Sequence, residues 1–598
     1  MRKKLTYSVL SLLLGILVPC NNYGQEKANP YNLSTKNNVV YWLTSDISNL
    51  IPYTTHDAQS SDIYPLLWES LNGINPRTQE LIPWLASLPV ISKNHRVYTY
   101  TMNPVAKWSD GQPLTAEDVM FSFKTVMNPL LIDASSLRDY FKTIDSVGYV
   151  VGDKMKIAFY LSESYYQMDR ILGGGYVPIL PKHVFDKENF TDKISWEELK
   201  SENPSDNGPL KQLSDTIISI GVEHDPNNLI GSGPYVLSEW ITNDLIILKR
   251  APHYWSENLA WGKAYPEEII FKIIEDQNTA LIALKAKDID FMDLFSPPSK
   301  WLTINQPYIK KDTAYYNSYT FLAWNKEKPI FKDKRVRRAL SHLVNRDEII
   351  NNVLKGLAHK IESPIIFTQP NYYSGLEPIN YDVDEAKHLL AQSGWVDSDG
   401  DGILDKIIDG KKTSFKFTFL VNNGSEVRRQ VLLIVCDQLR KVGIQADVQV
   451  MEWSVYLQNL HSHNFDATYS AIVGNASEDD LYQLWHSSQA KSKGSNWHSF
   501  INPKADRLLE RNRKEFDFNK RKELMKRFVE IIHDEQPVTF LWSQPQLMAW
   551  IDRFDNIELL HQRPCVNVPF WVVRGAGVKP NIGDPATLPE TAVKYNKE

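Results

Sequence analysis

Alternating and helically spaced apolar positions divide much of the chain into recognisable elements. The run "HRVYTYTMNP" (residues 95–104) alternates apolar and polar side chains as a half-buried strand does. It is followed by "KWSDGQPL", where a Ser-Asp-Gly turn and Pro113 break the pattern. A helix is then expected from Thr115. Asp118 stands three residues on as a capping partner, Glu117 and Asp118 complement the positive end of the helix dipole, and Val119, Phe123 and Val126 recur at helical spacing. The acids of this stretch, Asp110, Glu117 and Asp118, therefore read as turn and cap residues in preference to catalytic ones.

Further along, "VRRALSHLVNRDEIINNVL" places Val336, Leu340, Leu343 and Val344 on one buried helix face, with Arg335, Arg337 and Arg338 largely on others. Those arginines suit solvation or salt bridges more than anion binding. The run "LLIVCDQLRKVGIQADVQV" reads as a helix, a C-terminal glycine at Gly443 and an alternating strand. Such helix-to-strand units around residues 380–450 indicate an α/β layer in which helices cover a sheet.

Length adds that one core is not enough: 598 residues, at roughly 150 per domain, point to about three or four domains. The chain is 42% apolar and 11% aromatic, which supplies packed cores and aromatic-lined clefts. Lys+Arg 66 against Asp+Glu 72, mixed without a long run of one sign, argues against a surface that tracks nucleic-acid phosphates.

At the N-terminus, Arg2, Lys3 and Lys4 precede "LTYSVLSLLLGILVP", and polar "NNYGQEKANP" follows. This is the three-part layout of an export signal, over residues 1–25, and the apolar part is too short for an ordinary membrane span. Cys20 closes "LVPC", which is similar to the lipobox of bacterial lipoproteins except for Pro19, so two products stand open. One is a lipid anchor on Cys20, the other a soluble protein cut near Gly24 or Gln25. Either way the protein is expected outside the cytoplasm, in the periplasm or cell envelope. Cys436 reads as a small buried apolar residue, not half of a disulfide.

The stretch "KWSDGQPLTAEDVMFSFK" resembles the signature of the family 5 extracellular solute-binding proteins, the oligopeptide- and dipeptide-binding components of ABC transporters. Other blocks follow in that family's order, among them "LIGSGPYVLSEW", "ALIALKAKDIDFMDL", "YDVDEAKHLLAQSGWVDSDGDGILD" and "QLRKVGIQADVQVMEWSVY". Together they run from about residue 40 to about 545. The resemblance implies an α/β, periplasmic-binding-protein-like fold of class II, with two lobes around a ligand cleft plus an extra domain. By block order, domain I would take 26–73, 227–321 and 541–598, domain II 74–226 and domain III 322–540. It also implies a non-enzymatic, monomeric protein that closes on a peptide-like solute and delivers it to an ABC permease, with no required cofactor. A sensor uncoupled from import, or a binding protein for another solute such as an oligosaccharide, remains open.

In the peptide-binding members an acid after "FDA---GW" pairs with the ligand's amino group. Here Asn475 falls at that place, and asparagine cannot neutralise an ammonium. Asp479 and Asp480 follow close by. The segment "YTTHDAQSSD" occupies the position of a ligand-facing loop, making His56, Asp57 and Gln59 candidate contacts.

Two metal readings deserve comparison. His461 and His463 in "HSHNFD" are two apart, but no HExxH or further zinc ligand is in register, which disfavours a metal-dependent hydrolase. In "DSDGDGILD", Asp397, Asp399, Asp401 and Asp405 occupy positions one, three, five and nine of a calcium-type loop around Gly402. Position twelve is Ile408 in place of the bidentate Glu, so a structural calcium competes with a metal-free turn. Finally, residues 187–226 form a polar insertion expected to be a surface excursion with at most a short helix.

Overall fold

The computed structural model describes residues 37–575, apart from 56–58, 202, 207, 258, 260–262, 294, 424, 475–479 and 491–493. Three principal sheets organise them. The first has seven strands in the spatial order Ile309–Ala314, Gln546–Ile551, Phe291–Met292, Asn38–Leu43, Glu268–Ile273, Leu245–Arg250 and Tyr235–Ile241. The second has six, in the order His359–Lys360, Val538–Ser543, Ser318–Trp324, Ala467–Val473, Lys416–Asn422 and Gln445–Met451. The third is an antiparallel sheet of four: Val90–Ile91, Val97–Thr101, Asp153–Leu161 and Ile144–Val150.

The first sheet is discontinuous in sequence, because the chain leaves it after Ala314 and returns at Gln546. Between those points it builds the second sheet, entered at Ser318 and left after Ser543. Two short crossings, 315–317 and 544–545, therefore join the two sheets.

Side-chain alternation explains why the six-stranded sheet carries helices on both faces. In Ser318–Trp324, Leu322 and Trp324 enter one core with Val431, Val435 and Leu439 of the helix Glu426–Arg440. Tyr319, Phe321 and Ala323 enter the other with Leu508, Leu509, Phe528 and Ile532 of the helices Pro503–Lys514 and Phe518–Glu535. By contrast, the seven- and four-stranded sheets share one contiguous core that holds Val39, Tyr41 and Phe271 together with Tyr98, Phe121 and Phe159. A shared core makes the four-stranded sheet part of the same body as the seven-stranded one.

The signature stretch folds as the residue pattern requires. Thr115 caps the helix Ala116–Met127 in a reciprocal capping box with Asp118, and Val119, Phe123 and Val126 are fully buried. Asp118 also accepts the Lys182 amide at 2.9 Å, and Asp110 contacts His183 at 2.8 Å, so both are structural. Gly443 takes φ +82° between the helix Glu426–Arg440 and the strand Gln445–Met451. Cys436 and Cys565 are free and buried, and burial pushes the Cys436 thiol up to about 11.

Two expectations are corrected. Residues 187–226 are not a surface excursion: they contain the helix Pro209–Glu223, whose Leu210, Leu213, Ile217 and Ile220 are buried in the shared core. Its polar residues at other positions masked that four-residue apolar stripe. Arg337 is not solvated, being 1% exposed, although it does make the expected kind of salt bridge, to Glu535 at 3.3 Å. Its guanidinium is enclosed by main-chain carbonyls at the end of the helix Phe518–Glu535.

Candidate functional site

In open α/β sheets, ligand sites collect beyond the carboxyl ends of parallel strands. The strands Asn38–Leu43, Glu268–Ile273 and Phe291–Met292 run parallel, and Asp293 follows directly on the last of them. Asp293 is 6% exposed and accepts hydrogen bonds from Gln546 Nε2 at 3.0 Å and the Tyr41 hydroxyl at 3.4 Å. Gln546 is the first strand residue after the second crossing, so this carboxyl borders the junction of the two sheets. Arg563 makes two 3.0 Å hydrogen bonds to Asp62, from Nε to Oδ1 and from Nη2 to Oδ2. Burial, then the nearby charge of Asp62, pushes the Asp293 carboxyl up to about 7, against the pull of Arg563.

That shift has a consequence for stability. A carboxyl whose folded value lies above its unfolded one binds more protons when folded, so the stability contributed by this group is fully present below about pH 4 and is lost as pH rises through about 7. Asp293→Asn removes the titration. Its melting temperature relative to the parent protein is expected to be higher at pH 8 than at pH 5, by about 1–3 °C. Equal differences at both pH values would show that Asp293 does not titrate in this range.

On the other side of the crossings, Lys416–Asn422 runs parallel to both Gln445–Met451 and Ala467–Val473. After Val473 the Gly474 amide donates to the Asn317 carbonyl at 2.7 Å, tying this strand end to the first crossing. The chain resumes at Asp480, whose side chain is 5% exposed. Its Oδ2 accepts Arg513 Nε at 2.9 Å, Arg513 Nη2, and the Tyr165 hydroxyl at 2.8 Å. The Arg513 guanidinium lies 3.7 Å over the Tyr482 ring. Tyr165 follows the strand Asp153–Leu161, so this contact joins the four-stranded sheet's body to that of the six-stranded sheet without a chain crossing. A cavity of about 790 Å³ opens beside it, lined by Tyr140, Glu163, Tyr165, Tyr482 and Arg513 among others.

Of the residues singled out from sequence, Cys20, His56, Asp57 and Asn475 lie outside the described residues. The Gln59 amide bonds Thr44, and its turned orientation reaches the Ser45 carbonyl at 2.8 Å, which fixes its loop to the end of the strand Asn38–Leu43. In the acidic loop, Asp397, Asp399 and Asp405 place oxygens within 4.8 Å of one another. Asp401 is outside that group and accepts the Ile403 amide at 2.8 Å. Lys412 pairs with both Asp399 and Asp405, and Asp397 accepts the amides of Gly400 and Gly402. The lysine ammonium thus already supplies positive charge to the cluster. His463 bonds Ser499 at 2.8 Å and faces Glu327 at 2.9 Å, while His461 is set against Trp497.

The Asp293, Asp62 and Arg563 group and the Tyr165, Asp480 and Arg513 group were not recognised as clusters in the sequence. Only Asp480 was flagged, as a neighbour of Asn475; the partners are far apart in the chain and carry no local spacing signal.

The sequence profile of Bacterial extracellular solute-binding proteins, family 5 Middle, matches residues 80–494. The chain belongs to this family. It is a solute-binding protein and not an enzyme, with a two-lobed binding-protein fold. The oligopeptide-binding protein AppA of Bacillus subtilis (strain 168) is 30% identical over 536 residues, covering 87% of this chain and 88% of that protein. The dipeptide-binding protein of Escherichia coli (strain K12) is 25% identical over 499 residues, covering 82% and 85%. Among solved structures, AppA from Bacillus subtilis in complex with a nonapeptide gives a TM-score of 0.73 at 26% identity, covering 90% of this chain and 99% of that one. NikZ from Campylobacter jejuni in complex with Ni(L-His) shares the fold, with a TM-score of 0.72 at 22% identity over 90% and 99%. Among the described residues no helix is long and apolar enough to cross a membrane.

Proposed function

We propose that this solute-binding protein captures a peptide-like ligand between its lobes and hands it to an ABC permease. The observation that carries the reading is its similarity, over 87% of its length, to a relative named for oligopeptide binding. In this reading one lobe holds the seven- and four-stranded sheets, as domains I (26–73, 227–321, 541–598) and II (74–226), and the other the six-stranded sheet, as domain III (322–540), with the bounds at 321/322 and 540/541 corrected to the crossings because Ser318–Trp324 and Val538–Ser543 are strands of the six-stranded sheet. The crossings 315–317 and 544–545 serve as the hinge, because they are the short connections between the two large sheets. A ligand touching both lobes stabilises closure, since it gains its second set of contacts only there. The ligand would meet His56, Asp57 and Gln59 from one lobe and Asn475 from the other.

In this reading the protein is exported by residues 1–25, acts as a monomer, and touches the membrane only through a lipid on Cys20. Lys412 makes a structural calcium in the Asp397 loop dispensable.

A second reading is favoured by one feature. Asn475, at the place of the usual acid, carries no charge, and Asp480 is committed to Arg513 and Tyr165, while Asp479 lies outside the described residues. A peptide with a blocked amino terminus, or a non-peptide solute, fits that chemistry. Native mass spectrometry of gently purified protein separates the two. Co-purified peptides that leave on denaturation are expected; a single non-peptide solute would overturn the peptide assignment. Calorimetry with pentaalanine and its N-acetylated form then reads whether the amino terminus contributes.

A further inference from the structure

We propose that Tyr165, Asp480 and Arg513 form a latch that holds the two lobes closed, with Asp480 serving closure and not the charge of the ligand. The inference rests on the two-lobed reading above and concerns its regulation. Both carboxylate oxygens of Asp480 have partners: Oδ2 receives Tyr165 and Arg513, and Oδ1 receives the Tyr482 amide at 3.2 Å. The ion pair lies wholly within the six-stranded lobe, while Tyr165 comes from the other.

This division makes the contact reversible. When the lobes part, Tyr165 withdraws but Asp480 keeps Arg513, so no buried charge is stranded and opening avoids the large penalty of a broken buried pair. Closure instead returns a charge-assisted hydrogen bond to a desolvated carboxylate.

The surrounding contacts follow the same lobe-to-lobe path. The Tyr166 amide donates to the Arg513 carbonyl at 2.9 Å, and Lys514 pairs with Glu163 at 2.8 Å. Arg521 lies 4.0 Å over the Tyr166 ring, and His95 stacks on Phe516 at 3.8 Å. Residues 163–166 thus meet 480–482 and 513–521 at several points.

Small-angle X-ray scattering on the full chain tests the latch, both as isolated and after bound solute is removed by denaturation and refolding. Tyr165→Phe deletes one hydroxyl and leaves the ring to pack, which guards against simple misfolding; Asp480→Asn removes the charge. Both are expected to raise the radius of gyration by about 1 Å on a value near ~24 Å. In stopped-flow release of fluorescein-labelled pentaalanine, both are expected to speed dissociation at least tenfold, with the double variant no faster than the faster single. Unchanged radii for both variants in both states would overturn the latch. An effect of Asp480→Asn without one of Tyr165→Phe would also overturn it, by assigning the pair to the local fold of one lobe. A wild type that binds no pentaalanine yet expands on Tyr165→Phe would support the latch while counting against peptide as the ligand.

Discussion

Arg337→Ala is expected to destabilise the six-stranded lobe by about 3–5 kcal/mol. The guanidinium donates to the carbonyls of Phe331 and Lys332 at 2.8 Å, of Gln536 at 3.1 Å and of Glu535 at 2.6 and 3.1 Å. Glu535 ends the helix Phe518–Glu535 and Gln536 is its left-handed cap, so one side chain satisfies carbonyls that a helix end leaves without partners. Truncation would leave the carbonyls of four residues, those of Phe331 and Gln536 buried, short of a donor and open a cavity beneath the helix Lys334–His342. Burial lowers the guanidinium to about 10, which still leaves it charged at neutral pH. Arg337→Lys should recover only part of the loss, because a single ammonium cannot span both pairs of carbonyls. Urea unfolding followed by tryptophan fluorescence checks this, and a change below 0.5 kcal/mol, about the scale of a surface substitution, would sink it.

Gly231→Ala is expected to cost about 3 kcal/mol or more, through steric overlap that side-chain repacking cannot relieve. A β-carbon at Gly231 would stand 2.0 Å from the Leu67 carbonyl oxygen, and one at Gly233 would stand 2.4 Å from that of Leu66. Both obstacles are main chain. The two segments are also bonded together, Gly233 amide to Leu67 carbonyl at 2.8 Å, Trp68 indole to Ile230 carbonyl at 2.9 Å and Glu69 amide to Ser232 hydroxyl at 3.1 Å. Separating them would therefore break several bonds at once. Gly111, at φ +88° with open space around it, is the useful contrast. Alanine there meets only backbone strain, worth about 1 kcal/mol. If thermal unfolding shows the two variants equally stable, the close approach at Gly231 is not what the glycine is for.

What the residue pattern disclosed, and what it hid, differ in physical kind. The helix from Ala116 was legible because its cap, dipole complement and apolar stripe all lie within twelve residues. The family resemblance extended this to the lobes, through blocks spread along the chain. The salt bridge expected of Arg337 forms with Glu535, but its burial is not legible, because helical spacing reports which positions share a face, and not that a charged side chain there finds carbonyls some two hundred residues away. The helix Pro209–Glu223 was underestimated because average polarity outweighed its stripe of Leu210, Leu213, Ile217 and Ile220. At the candidate site, Gln59 is expected to face a ligand from its loop; the structure shows its bond to Thr44, just past the strand Asn38–Leu43, which local spacing does not disclose. Asp293 with Gln546, Arg563 with Asp62, and Tyr165 with Asp480 join residues hundreds of positions apart, and single-sequence reasoning has no handle on such pairs.

The strand order of the seven-stranded sheet bears on how the molecule is made. Gln546–Ile551 lies inside that sheet, between Ile309–Ala314 and Phe291–Met292, although it is among the last strands in the chain. The six-stranded sheet, by contrast, is assembled wholly from residues between Ser318 and Ser543. During synthesis the later-encoded half can complete its sheet first, while the earlier-encoded half stays open at an interior seam until residue 551 has emerged.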